Sequence, residues 1–129
     1  MVSCGFKKGA KRECALWDVR NLSKRVKNHM LNGDSICLVD YDCDTNIAFL
    51  SGKGDGTISM FEFVEGELYN NGIYRSKDYS MSTSFGCRRC VDTSKNEVAR
   101  AFKLGKNYVE TISFLYPRKV LFFNILYNF

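Results

Sequence analysis

Residues 39–63 read VDYDCDTNIAFLSGKGDGTISMFEF, and this stretch decides the fold. Asp42-Cys43-Asp44-Thr45-Asn46 separates two apolar runs with side chains that bond their own backbone, which marks a turn. Gly54-Asp55-Gly56 separates the next two runs with residues that tolerate positive φ. After it, Ile58 and Met60 alternate with Thr57, Ser59 and Phe61, the period of a half-buried strand. Together the two turns predict a three-stranded antiparallel meander over residues 35–64.

Working outward, the same pattern recurs upstream. Trp17-Asp18 ends the run CALWD and Phe61-Glu62 ends TISMFE, so an aromatic followed by a carboxylate repeats after 44 residues. A period of about 40 to 45 residues marks a four-stranded propeller blade. Residues 97–104, EVARAFKL, read as a decayed third copy, with Ala101 falling 40 residues after Phe61 and the aromatic shifted to Phe102. Asp55 stands six positions before Phe61, where its carboxylate is expected to tie the turn to a neighbouring blade, a structural role. Lys11 takes that place in the upstream copy, so that blade must close its turn differently. Further strands are expected at 13–17 and 108–116, and no window gives an amphipathic helix.

A chain of 129 residues has room for one domain. Its 45% hydrophobic and 14% aromatic content lies well above the apolar poverty of disordered chains. No apolar run reaches the roughly 18 residues of a membrane span, and Lys7, Lys8, Lys11 and Arg12 precede no signal-like apolar segment. The net charge of +5 conceals three blocks. Residues 1–30 hold eight basic and two acidic side chains, residues 31–67 one and eight, and residues 68–129 ten and four. Such blocks can steer a charged partner. Nucleic acid is not expected, since Lys24, Arg25 and Lys27 have no aromatics interleaved with them.

Chemistry finds little footing. Of six cysteines, Cys14 and Cys37 lie in apolar runs and read as small buried hydrophobes. Cys87-Arg88-Arg89-Cys90 is a lone C-x-x-C, half a zinc site or a redox pair, and a small zinc or redox domain built on it is one alternative reading. The single histidine, His29, lacks a placed partner and is expected on an exposed connecting strand; Ser82 to Ser84 read as a polar loop. Asp40, Asp42 and Asp44 fail as a calcium loop, because Thr45 and Ser51 stand where Gly and Glu are needed. The glycines of 52–56 lack the spacing of a phosphate loop. No catalytic, cofactor-binding or metal-ligating residue is assigned.

Four runs, taken in order and at their spacings, resemble the last blades of the WD-repeat propeller of coronins: GFKKGAKRECALWDVRNLSK, VDYDCDTNIAFLSGKGDGTISMFEF, VDTSKNEVARAFKL and ISFLYPRK. The YDxDTN turn with its GKGDG loop, and NEVARAFKL followed by YPRK, carry the likeness. This chain departs from the family in SMSTSFGCRRCVD before the third run, in Ala101 where an aromatic is expected, and in the apolar end VLFFNILYNF. The resemblance implies an all-β partial propeller over residues 1–119, with two and a half to three of seven antiparallel blades, and an atypical tail over 120–129. It also implies non-catalytic binding to actin filaments and other proteins, cytoskeletal regulation in the cytoplasm, and no cofactor. The alternative is a generic WD-repeat scaffold for protein assembly unrelated to actin. Neither the earlier blades nor a coiled coil is expected in this stretch, so no actin-contact residue is transferred. Two and a half blades leave apolar faces and strand edges uncovered. Expressed alone, the chain is therefore expected to aggregate or to bind filaments only weakly; sedimentation of the purified chain with and without filaments checks this, and tight saturable binding by a soluble monomer is the contrary result.

Overall fold

A computed structural model describes residues 1–7, 11–33 and 35–116. Ten strands form three antiparallel sheets, and no α-helix occurs among the described residues. The N-terminal sheet holds β1 (Val2–Lys7), β2 (Lys11–Asp18) and β3 (Asn21–Met30) in that order. The central sheet is a four-stranded meander of β4 (Cys37–Asp42), β5 (Ile47–Gly52), β6 (Thr57–Val64) and β7 (Glu67–Arg75). The C-terminal sheet has β8 (Ser82–Phe85), β9 (Glu97–Leu104) and β10 (Val109–Leu115), with β9 in the middle. The expected meander is present and gains a fourth strand.

The central sheet is covered on both faces, so all six residues of β5 are buried. Side chains alternate across a strand. Ile47 and Phe49 therefore join Ile58, Met60 and Tyr74 against Ala99, Ala101, Ile112 and Phe114 of the C-terminal sheet. Ala48 and Leu50 join Phe61 on the opposite face, against Cys14 of β2. The first core is the aromatic one: the Phe49 ring lies 5.0 Å from Phe114 and 5.1 Å from Phe85.

Register corrects the third repeat. TISMFE is β6, third in its sheet, whereas EVARAFKL is β9, paired with both β8 and β10, and so occupies the place of β5. Phe61 stands opposite Ala48 as Phe114 stands opposite Ala99, which makes Phe114, and not Ala101 or Phe102, the counterpart of Phe61. The turn residues agree. Asn46 and Asn96 both adopt left-handed backbone with φ of 57° and 58°, and their carbonyls accept from Phe63 and Tyr116 amides at 3.0 and 2.8 Å. A bulge between Phe114 and Leu115 accommodates the extra residue of β9.

β1, β7 and β8 are strands beyond those expected from the sequence, and β3 is the exposed strand expected around His29, there without bounds. β3, NLSKRVKNHM, is exposed at every position but His29, so burial imposes no apolar alternation on it. β7 contains Asn70, Asn71 and Gly72 beside a bulge at Met60 and Phe61. The turn that closes the Lys11 hairpin and the tail 120–129 lie outside the described residues.

Phe61 is 1% exposed and fills the joint beneath Cys14 and Leu50. Phe61→Ala is expected to cost about 3–5 kcal/mol, the range for a truncated buried phenylalanine. Phe102→Ala, at a position 37% exposed, is expected to stay within about 1 kcal/mol. Urea midpoints of the two variants check the contrast.

Candidate functional site

Side-chain networks with defined geometry span both joints between sheets. Asp55 sits in the β5–β6 turn. Its Oδ1 accepts from the Thr57 amide at 3.0 Å and the Thr57 hydroxyl at 2.9 Å, which closes the turn on itself. Its Oδ2 accepts from Ser35 Oγ at 3.1 Å and from Arg12 Nη1 of β2 at 3.2 Å. The same Arg12 Nη1 donates to Ser35 Oγ at 3.0 Å, and Nη2 donates to the Asn32 carbonyl. One carboxylate thus fastens its own hairpin to the neighbouring sheet, as its position in the sequence predicts. Only glycine fits at 52: a Cβ there would stand 1.9 Å from Asp55 Oδ2 and 2.7 Å from Arg12 Nη1. Burial acts to raise the Asp55 pKa, but the Thr57, Arg12 and Ser35 donors outweigh it and hold the carboxyl below its ordinary value.

The other joint uses a lysine. Lys103 of β9 is 1% exposed, and its ammonium donates to Glu110 Oε2 at 3.0 Å and to Ser76 Oγ beyond β7. Tyr74 of β7 donates to Glu110 Oε1 at 3.1 Å. Burial and then the Glu110 carboxylate raise the Tyr74 pKa. At the opposite end of this joint Arg88 grips the β4–β5 turn through Asp42 Oδ1 at 2.8 Å and through Asp44.

Most of the basic residues that might attract a partner are engaged within the molecule. Arg25 pairs with Glu13 and lies 5.4 Å over the Trp17 ring, while Lys27 Nζ reaches Glu67 Oε2 at 2.6 Å. Lys24 and Arg89 are exposed. His29 lies on a strand as expected, within β3, but is half-buried rather than exposed, with its ring 4.9 Å from Phe61, because β3 pairs along β2 and turns the ring onto the core. Ser82, Thr83 and Ser84 belong to β8.

Two open grooves of about 540 and 560 Å³ flank the central and C-terminal sheets. The carboxylates of the first are already held: Asp44 by Arg88, Glu97 by Arg100, and Glu62 by the Asn71 amide at 2.7 Å. Among the described residues no group of three His, Cys, Asp or Glu could hold a metal ion, and no helix is long and apolar enough to cross a membrane. Cys14 is fully buried, and Cys4 shares hydrogen bonds with it and with Cys37. The Cys14 contact contributes most to pushing the Cys4 thiol up to about 12. Its hydrogen bond to Cys4, then burial, push Cys37 up as well.

Three antiparallel sheets stacked face to face, each joint fastened through a turn, define this chain as part of a WD-repeat β-propeller. No family model matches it. It is 35% identical over 121 residues to coronin-like protein crn1 of Schizosaccharomyces pombe, covering 92% of this chain and 20% of that protein. To coronin-A of Dictyostelium discoideum it is 34% identical over 122 residues, covering 92% of this chain and 27% of the relative. The solved WD40 domain of Toxoplasma gondii coronin superposes with a TM-score of 0.85 at 30% identity, over 92% of this chain and 31% of that one. The chain belongs to the coronin family, and it spans roughly a fifth to a quarter of the length of these curated relatives.

Because the folded pKa of Asp55 is depressed, its contribution to stability is present above the unfolded value of about 3.9 and is lost as pH falls through the folded value. Asp55→Asn is expected to lower stability at pH 7 by about 1–3 kcal/mol, the cost of breaking a charged hydrogen-bond set. The gap between wild type and variant should narrow below about pH 4. Urea titrations across pH 3–7 measure it; a gap that does not depend on pH refutes the assignment.

Proposed function

We propose that this chain supplies the last blades of a propeller that binds actin filaments, without catalysis, and so takes part in organising the cytoskeleton in the cytoplasm. The observation that carries this reading is the coronin kinship across 92% of the chain in both sequence and fold. The engaged state of the groove carboxylates supports a docking part: a side chain held in an ion pair is poorly placed to move protons. On this reading residues 1–119 are the propeller segment and 120–129 a separate apolar tail.

The joints serve rigidity. A filament side is a repeating, stiff surface, and a ring of blades binds it with little ordering cost when its own faces are fixed beforehand. Exposed Lys24 and Arg89 can add attraction to an acidic filament, while the paired cations cannot do so without breaking internal contacts.

The test completes the ring. Fused behind the residues that precede the matched stretch in the Schizosaccharomyces pombe relative, the chain is expected to pellet with filamentous actin saturably and less at high salt. A fusion that is folded by circular dichroism yet stays in the supernatant overturns the reading.

A further inference from the structure

The C-x-x-C of the sequence has a geometry that the docking function does not use. Residues Arg88–Cys90 form a single 3-10 turn, in which the Cys90 amide donates to the Cys87 carbonyl at 2.9 Å. The turn brings Cys87 Sγ and Cys90 Sγ to 3.5 Å, both exposed and both free. A disulfide needs about 2.05 Å between sulfurs, so side-chain rotation over about 1.5 Å closes the gap. The turn is held from behind. The Gly86 amide donates to the Arg100 carbonyl at 2.8 Å, and a Cβ at 86 would stand 3.2 Å from the Phe102 ring and 3.4 Å from Cys90 Cβ.

We propose that Cys87 and Cys90 form a reversible disulfide when a hydroperoxide reaches them, and that this bond acts on the joint between the central and C-terminal sheets. The two cysteines have different parts. The Cys90 thiol and the Arg89 and Cys90 amides lower the Cys87 pKa, and the same contact raises that of Cys90. Cys87 thiolate attacks the distal peroxide oxygen, the O–O bond breaks, and the leaving hydroxide or alkoxide takes up a proton, leaving Cys87 as a sulfenic acid. Cys90 sulfur then attacks the Cys87 sulfur, and the S–O bond breaks with loss of water. Two thiols are oxidised by one hydroperoxide, which leaves as water or an alcohol plus the water of the second step. Exposed disulfides of this kind remain reducible by thiols.

The bond reaches the joint through Arg88. That residue lies between the two cysteines and grips Asp42 and Asp44 in the β4–β5 turn, whose Thr45 amide donates to Asp42 Oδ2 at 3.2 Å. Drawing the sulfurs together re-aims the Arg88 stem, so the turn of the next sheet feels the redox state. Cys43, exposed in that turn without a thiol partner, provides an internal control.

The full chain is treated with one equivalent of hydrogen peroxide, alkylated and digested with trypsin without reductant. The expected product retains a link between the peptides on either side of Arg88-Arg89, is two mass units lighter than the reduced pair, and reverts with dithiothreitol. Cys87→Ser and Cys90→Ser each abolish it, and Cys43 stays open to alkylation. Both thiols remaining alkylatable, Cys87 passing to sulfinic acid with Cys90 present, or a cross-link between two chains overturns the disulfide. Hydrogen exchange of the Thr45 amide is expected to differ several-fold between reduced and oxidised chains; equal exchange overturns the coupling to the joint.

Discussion

The structure depends on covering both faces of β5. A strand whose six residues are all buried cannot rest on a single layer, because its side chains alternate to opposite sides. The central sheet therefore needs a neighbour on each face, Cys14 and its flanking residues on one and Ala99, Ala101, Ile112 and Phe114 on the other. The remaining architecture follows from that demand. The two outer sheets are oriented by it, and the C-terminal one leaves Phe102 and Leu104 of β9 exposed on its far side.

Apolar contact alone leaves the angle between sheets loosely set, since hydrophobic attraction has no direction. The polar joints supply the direction. Arg12 on Asp55 and Lys103 on Glu110 both bring a largely buried cation to a carboxylate that has other donors as well. Removing such charges from water costs several kcal/mol each, and geometry and additional hydrogen bonds must offset it. The Ser35, Thr57 and Tyr74 hydroxyls are those additional bonds. These joints are accordingly better understood as devices that fix one packing angle than as large sources of stability.

Much of this could be read from particular residues. The turns at 42–46 and 54–56, the alternation of β6 and the carboxylate at 55 carry local signals, because turn chemistry and burial act within a few residues. Trp17 and Phe61 match because each lies on the strand before the last of its sheet, β2 and β6. The third copy lies one strand later than its period suggests, since Phe114 follows Phe61 by 53 residues, beyond the period that the first two copies set. The bounds of β3 carry no periodic signal, because an exposed outer strand has no apolar face to show. Arg12, the partner of Asp55, lies 43 residues away and carries no local mark at all. Long-range pairing of that kind becomes visible only when the sheets are in place.

The charge blocks make the same point from the other side. Along the chain they run basic, acidic, basic; the first block covers the N-terminal sheet, the second covers β4 to β6 of the central sheet, and the third begins within β7. Arg12 and Lys27 of the first meet Asp55 and Glu67 of the second, and Arg88 from the third meets Asp42 and Asp44 of the second. Ion pairs between blocks cross both joints, and there the alternation of sign becomes attraction between neighbouring blades. A pattern that invites an interpretation as a steering field for an outside partner is in part consumed internally. Exposed pairs such as Lys27 with Glu67 contribute about 0–1 kcal/mol each, so their larger effect is on which sheets stand beside each other. Like-signed neighbours would repel. Alternating sheets can stack in chain order, and that order is the one the ring of a propeller requires.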